Sequence, residues 1–406
     1  MPERKKIACW ILTLSLTLCG CGMRVEVMAE PETTPAPTAT PVPEQEDALL
    51  EKARQLLENM TLEEKVGQLF FVRPDALDPY QSTWIGTGYV WAVTAMSERV
   101  GSTLVQYPVG GVVVFGKNIK TSNQLKELIA SLQRAAKTPL FMAVDEEGGQ
   151  VARLGNHAAI HVPEYKSAAA VGASRNTEDA ADMGRTIGGY LADYGFSMDF
   201  APVADVNTNP DNPIIGDRAF SSDAGEAAAM AGAMAEGLAS QGVIPVYKHF
   251  PGHGDTAEDS HLGIAVTNKT AEELRACEWL PYLANDLTGS AVMVGHIAVP
   301  SITGDMTPAS LSRVMVTDYL RGELGFQGLV ITDSLAMAGI TQDHTSGEAA
   351  VLALEAGCDV LLMPEELDQA YDAVLHAVET GEITEERIDE SVLRILEYKL
   401  MAGVIK

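Results

Sequence analysis

From residue 48 onward the chain alternates short apolar runs with longer stretches of helical period. The runs are Leu69–Val72, Val109–Phe115, Leu140–Val144, Met198–Val203, Val243–Tyr247, Ala291–Val294, Leu329–Thr332 and Val360–Met363. Each is short and nearly unbroken by polar residues, as a strand covered on both faces has to be. Between them, Thr177–Tyr194, Ala224–Gln241, Thr270–Leu283 and Gly347–Ala356 are alanine-rich and read as helices. Ala48–Met60 carries Leu49, Leu50, Ala53, Leu56 and Leu57 at helical spacing, and Thr61-Leu62-Glu63-Glu64 has the form of a capping box opening a second helix. Eight strands alternating with helices over about 340 residues predict an α/β fold, a (β/α)8 TIM-type barrel in one domain from 48 to 406. A doubly wound open sheet competes, but no Gly-x-Gly-x-x-Gly follows the first strand. Asp75–Val100 fits neither element well. It holds Tyr80, Trp84, Tyr89 and Trp91, which either wall a ligand subsite or pack on the barrel rim.

In such a barrel the working groups lie at the C-terminal ends of the strands. The third run leads into Asp145-Glu146-Glu147-Gly148-Gly149, the fourth towards Asp205, the fifth into Lys248-His249, the sixth into His296 and the seventh into Asp333. One such residue is easily a helix cap, but five in succession point to a site. His296 reads equally well as a core histidine bonded to a backbone carbonyl. The densest stretch runs from Lys248 to His261 and sets three histidines, one lysine and several carboxylates around a Pro-Gly-x-Gly turn. Three chemistries suit it. His249, His253 and His261 are metal-ligand types, Asp259 and His261 form an acid/base dyad, or the loop is structural and its polar groups satisfy one another. The metal spacing is poor, with no His-x-His pair, no nearby cysteine and no HExxH helix, so no metal and no cofactor is expected.

Charge narrows the partners. Against 28 basic residues stand 56 acidic ones, a net charge of -28, which excludes nucleic acid and an anionic membrane surface. The N-terminus reads as a targeting segment. Arg4-Lys5-Lys6 precedes the apolar stretch Ile7–Leu18, and Leu18-Cys19-Gly20-Cys21 resembles a bacterial lipoprotein cleavage box. Residues 1–20 are expected to be the signal peptide and Cys21 the lipidated residue, with an ordinary secretory signal as the alternative. The Pro- and Thr-rich stretch up to Asp47 makes 21–47 a linker, extending to about 80–90 Å at most. The expected protein is a monomer outside the cytoplasm, held to the membrane only by its lipid. Of five cysteines, Cys277 and Cys358 lie outside this region and read as buried thiols rather than a disulfide.

Taken together, these motifs resemble family 3 of the glycoside hydrolases, in its β-N-acetylglucosaminidase branch, from roughly Leu56 to the C-terminus. Lys248-His249-Phe250-Pro251-Gly252-His253-Gly254, followed by Asp259-Ser260-His261, matches the branch signature. Asp145–Arg153 matches the family's carboxylate loop, Gly216-Asp217-Arg218-Ala219-Phe220 its arginine loop and Ile331-Thr332-Asp333-Ser334 its nucleophile strand. The resemblance implies Asp333 as nucleophile and His261 as acid/base, oriented by Asp259. It implies Asp145, Arg218, Lys248 and His249 as sugar-binding groups, Arg153 as a brace or sugar contact, and Met363 on the pocket floor. A histidine is unusual where two carboxylates are the rule, but it titrates near neutral pH.

The activity so implied is exo-acting, retaining removal of terminal β-linked GlcNAc from peptidoglycan fragments or chito-oligosaccharides. A phosphorylase is a second reading, because a neutral histidine does not repel incoming phosphate. A non-catalytic, lipid-anchored sugar-binding protein is a third, although it would have no use for Asp333 together with the dyad. A metal-dependent barrel hydrolase is a fourth.

Overall fold

The computed structural model describes residues 42–406 apart from 86–87 and 258–262, and does not describe the side chains of 42–46, 84, 85 and 88. Residues from Gln45 onward form one compact unit. Eight parallel strands build its centre. They are β1 (Phe70–Val72), β2 (Gly111–Val114), β3 (Phe141–Val144), β4 (Met198–Asp199), β5 (Ile244–Phe250), β6 (Ala291–Val294), β7 (Val330–Thr332) and β8 (Leu361–Leu362). Each pairs with its neighbour in sequence from β1 to β7, and β8 pairs with β1. A parallel bridge between Ile331 and Val360 joins β7 to the entry of β8 and closes the ring. The expected (β/α)8 barrel is thus the fold. The strands are buried throughout, which is why apolar runs marked them.

Alanine and glycine in the helices have a packing reason. Helices Thr177–Tyr194 and Ala224–Ala239 lie against each other, and a Cβ on Gly184 would come 2.1 Å from the Met234 carbonyl oxygen. Two local readings need correction. Thr270–Leu283 is not one helix but two, Ala271–Ala276 and Leu280–Leu283, because Pro281 can open a helix but not continue one. Asp75–Val100 is not irregular. It holds a short helix Pro74–Leu77, a hairpin of Ser82–Ile85 with Gly88–Trp91, and the start of helix Glu98–Gln106. Cys277 and Cys358 are free thiols.

The N-terminal end of the barrel is knitted by buried charge. Asp359, wholly buried just before β8, accepts from Arg321 at 2.6 Å, Arg394 at 3.0 Å, Ser391 at 2.7 Å and the Val330 N–H at 3.0 Å. Ser391 and Arg394 belong to the last helix, Glu385–Met401, so this carboxylate ties that helix to the β7–β8 closure. Lys399 on the same helix is also fully buried. Its ammonium donates to Gln68 Oε1 at 2.6 Å and lies 5.7 Å from the Phe141 ring centre.

Burial alone lowers the Lys399 ammonium to about 7, against about 10.4 in an unfolded chain. Below pH 7 both states hold the proton, and the folded state carries the cost of a buried charge. Between about pH 7 and 10 only the unfolded chain holds it, so stability rises with pH, by up to about 1.4 kcal/mol per unit. Denaturant midpoints measured from pH 7 to 9.5 should rise for the natural chain and rise clearly less for Lys399→Met. Equal slopes would show that another group titrates.

Candidate active site

The opposite end of the barrel gathers charge from several strands. Asp145, Glu146 and Glu147 follow β3, and Arg218 ends the short helical turn Gly216–Arg218 in the connection after β4. Lys248 and His249 were expected just past the fifth strand, but they lie within it. β5 runs on to Phe250, which pairs with Val294 of β6, while Lys248 bridges to Val203. Both side chains are therefore buried. The Lys248 ammonium sits between Asp145 Oδ1 at 2.9 Å and Glu147 Oε1 at 2.6 Å. Arg218 forks onto Glu147 with bonds of 2.8 and 2.7 Å, and Arg153 reaches Asp145 Oδ2 at 3.2 Å.

Burial pushes the Glu147 carboxyl up, but the Arg218 and Lys248 charges outweigh it and bring it down to about 2. Asp145 is likewise raised by burial and pulled below the usual carboxylate range by Lys248 and Arg153. Lys248 loses by burial and gains more from Asp145 and Glu147, so it is held above the ordinary lysine value. All of these groups are charged at neutral pH. The two most accessible of the interlocked four are Asp145 and Arg218, with side chains 17% and 10% exposed against 2% for Lys248 and Glu147.

Asp205 anchors the next part of the site. It accepts from His249 Nδ1 at 2.7 Å and from the backbone N–H groups of His249 and His253 at 3.3 and 2.6 Å. A carboxylate only accepts, so Nδ1 of His249 carries a proton. Asn212 donates to the carbonyls of His253 and Thr256 at 2.8 and 2.9 Å, pinning the turn that follows. Gly254 lets the chain pass, since a Cβ there would lie 1.9 Å from the Val206 carbonyl oxygen. Burial holds His253 below the usual histidine value, helped by His249. Beyond the turn, Asp255 meets Lys269 at 3.2 Å, and Ala265–Val266 pair with Ile297–Ala298. Asp259 and His261, the expected dyad, lie outside the described residues.

Asp333 leaves β7 with its N–H bonded to Val294 O at 2.8 Å and its Oδ1 accepting from the Ser334 N–H at 2.7 Å. Burial raises its carboxyl, but His296 and His249 outweigh that and hold it below the usual carboxylate range. His296 is fully buried. Its Nε2 meets Ser334 O at 2.8 Å and its Nδ1 meets Ser310 Oγ at 2.8 Å. A carbonyl only accepts, so Nε2 bears the proton; His296 thus makes the backbone bond expected of a core histidine and also lies close enough to Asp333 to act on its carboxyl. Met363 follows β8, buried, its N–H bonded to Phe71 O at 2.7 Å.

Two residues matter more than the sequence suggested. Glu147 locks Arg218 and Lys248 together, and Asp205 aims His249. Glu146, beside Glu147, has a different task, accepting from Leu154 N, Gly155 N and Tyr190 Oη at 2.8, 2.7 and 2.8 Å to brace its own loop. Arg153 is a brace too, with its guanidinium 5.2 Å from the Phe115 ring centre. Among the described residues, no group of three or more His, Cys, Asp or Glu is placed to hold a metal ion.

Comparison with known proteins agrees with this geometry. Residues 61–398 match the glycosyl hydrolase family 3 N-terminal domain. The chain is 37% identical over 311 residues to the β-hexosaminidase LpqI of Mycobacterium tuberculosis, covering 73% of this chain and 77% of that one. It is 30% identical over 334 residues to β-hexosaminidase A of Pseudoalteromonas piscicida, covering 76% of this chain but 56% of the relative. The solved structure of a family 3 β-N-acetylglucosaminidase from Paenibacillus sp. strain FPU-7 superposes with a TM-score of 0.77 at 36% identity, covering 85% of this chain and 63% of that one. With the barrel, its charged mouth and the family match over most of its length all in agreement, the chain belongs to glycosyl hydrolase family 3.

Proposed function

We propose that this protein is an exo-acting, retaining β-N-acetylglucosaminidase. The observation that carries the reading is Asp333, an ionised carboxylate fixed at a strand end beside a preformed cluster of hydroxyl-binding groups. The β-hexosaminidase names of relatives at 30% and 37% identity support the same class and favour water over phosphate as the acceptor.

In the first step the Asp333 carboxylate attacks the anomeric carbon. The bond to the leaving oxygen breaks, and that oxygen takes a proton from His261. In the second step His261 removes a proton from water, the water oxygen displaces Asp333 and the sugar leaves with its configuration retained. Asp259 holds the imidazole and supports its charged form. Asp145 and Arg218, the most accessible of the interlocked four, take the sugar hydroxyls, while Glu147 and Lys248 hold them in place. His249, aimed by Asp205, contacts the ring from the barrel wall.

The substrates are peptidoglycan fragments or chito-oligosaccharides. Residues 1–20 direct export, Cys21 carries lipid, and 21–47 spaces the 48–406 domain from the membrane outside the cytoplasm, where it acts as a monomer.

Three outcomes test this. Asp333→Asn should leave the folding transition in place and lower turnover of a nitrophenyl GlcNAc glycoside by roughly a thousandfold or more; retained activity would remove Asp333 from the mechanism. His261→Ala should slow release of a sugar leaving group about 10²–10³-fold, and a nitrophenol far less, since that group needs little protonation. Equal slowing would mean another acid. Added phosphate should yield GlcNAc and no sugar 1-phosphate; the phosphate ester as main product would make the protein a phosphorylase.

A further inference from the structure

The hairpin between β1 and β2 adds nothing to closure of the barrel, yet it concentrates the exposed aromatic rings. Among the described residues the aromatic side chains more than a third exposed are Tyr80, Tyr89 and Trp91, at 70%, 74% and 65%. Ser82 pairs with Trp91 and Thr83 with Val90. Thr83 is buried and its hydroxyl meets that of Thr94 at 3.4 Å, so its face turns towards the protein. Tyr89 and Trp91 alternate with Val90 and present the other face.

The base of the hairpin is fixed at the charged end of the barrel. Asp75 accepts from the Val93 N–H at 2.9 Å and pairs with Lys117 at 2.9 Å. Lys117 also donates to the Trp91 carbonyl at 3.5 Å, and Asn118 donates to the Val93 carbonyl at 3.0 Å. Lys117 and Asn118 lie just past the C-terminal end of β2. Phe115, two residues before Lys117, packs under Arg153, which reaches Asp145. A continuous chain of contacts therefore leads from the Trp91 backbone to the carboxylate at the mouth.

The chemistry of the patch selects its partner. Residues 79–97 contain no acidic or basic side chain, in a chain of net charge -28. Two cations that touch it, Arg99 over Tyr80 and Lys117 at the Trp91 carbonyl, are each paired with a carboxylate, Asp78 at 3.8 Å and Asp75 at 2.9 Å, so the patch offers no net charge to an anionic lipid, a nucleic acid or a charged peptide. Flat aromatic faces edged by Ser82, which pairs with Trp91, suit the C–H faces and hydroxyls of neutral pyranose rings, and exposed apolar patches of this kind mark binding surfaces. We propose that Trp91, with Tyr89 beside it, binds the sugar rings of a β-linked GlcNAc oligosaccharide beyond the residue held at Asp145 and Arg218, so that the protein prefers oligomers to single glycosides. The inference rests on the glycosidase reading of the mouth.

Calorimetric titration of the full chain carrying Asp333→Asn, which prevents turnover, tests it with GlcNAc and with its β-1,4 tetramer. The tetramer should bind at least tenfold more tightly than the monosaccharide. Adding Trp91→Ala should weaken the tetramer about tenfold, about 1.4 kcal/mol, and change the monosaccharide less than twofold. Tetramer binding no tighter than GlcNAc, an unchanged tetramer affinity in Trp91→Ala, or equal loss for both ligands would overturn the subsite. Tetramer selectivity lost through Trp91, in a protein whose natural form releases no GlcNAc, would keep the subsite and sink the hydrolase reading alone. No binding of either sugar would sink both.

Discussion

Holding the Lys248 ammonium out of water between Asp145 and Glu147 fixes the positions of most groups at the mouth of the barrel. A buried ion costs several kcal/mol unless its partners are well placed. Here the partners come from separate elements: Lys248 from β5, the carboxylates from the end of β3 and Arg218 from the connection after β4. None can move without leaving a charge exposed to low dielectric, so each holds the others. That rigidity suits sugar binding, because donors and acceptors already in place need no reorganisation when hydroxyls arrive.

The far end of the barrel meets the same cost in two other ways. Asp359 is outnumbered by arginines, with Arg321 and Arg394 in contact and Arg387 at 4.0 Å, and Arg321 and Arg387 also donate to backbone carbonyls. Lys399 has no carboxylate, only Gln68 and an aromatic ring. Charges at the N-terminal end knit strands and the last helix together. Those at the C-terminal end keep two side chains reaching the surface, and this is the asymmetry expected of a barrel whose chemistry sits on one face.

The eight strands were legible because parallel strands buried on both faces leave unbroken apolar runs. What misled was polarity inside the fold. Lys248 and His249 look like the start of a loop, and only their buried carboxylate partners let β5 continue through them. Glu146 and Glu147 cannot be told apart by residue type. In the structure one bonds its own loop and the other locks Arg218. The hairpin after β1 hid for a different reason, since aromatic, threonine and glycine residues with no buried stripe match neither period. The dyad residues were legible as a motif, while their positions fall outside the described residues.

Charge at the mouth also bears on Asp333. Lys248, Arg218 and Arg153 are three cations, and Asp145, Glu147 and Asp205 supply three carboxylates, so this cluster is balanced without Asp333. The groups that act on its carboxylate are His296 and His249, with the Ser334 N–H and Lys248 adding to them. Burial alone would favour the neutral acid, but these interactions outweigh it. Asp333 therefore rests as the anion that the proposed mechanism requires, without needing a base to deprotonate it. In the first step the one proton that must move is the one delivered to the leaving oxygen. On the proposed mechanism, a carboxylate held ionised by the barrel needs only a proton donor opposite it, and such a donor can come from a separate loop.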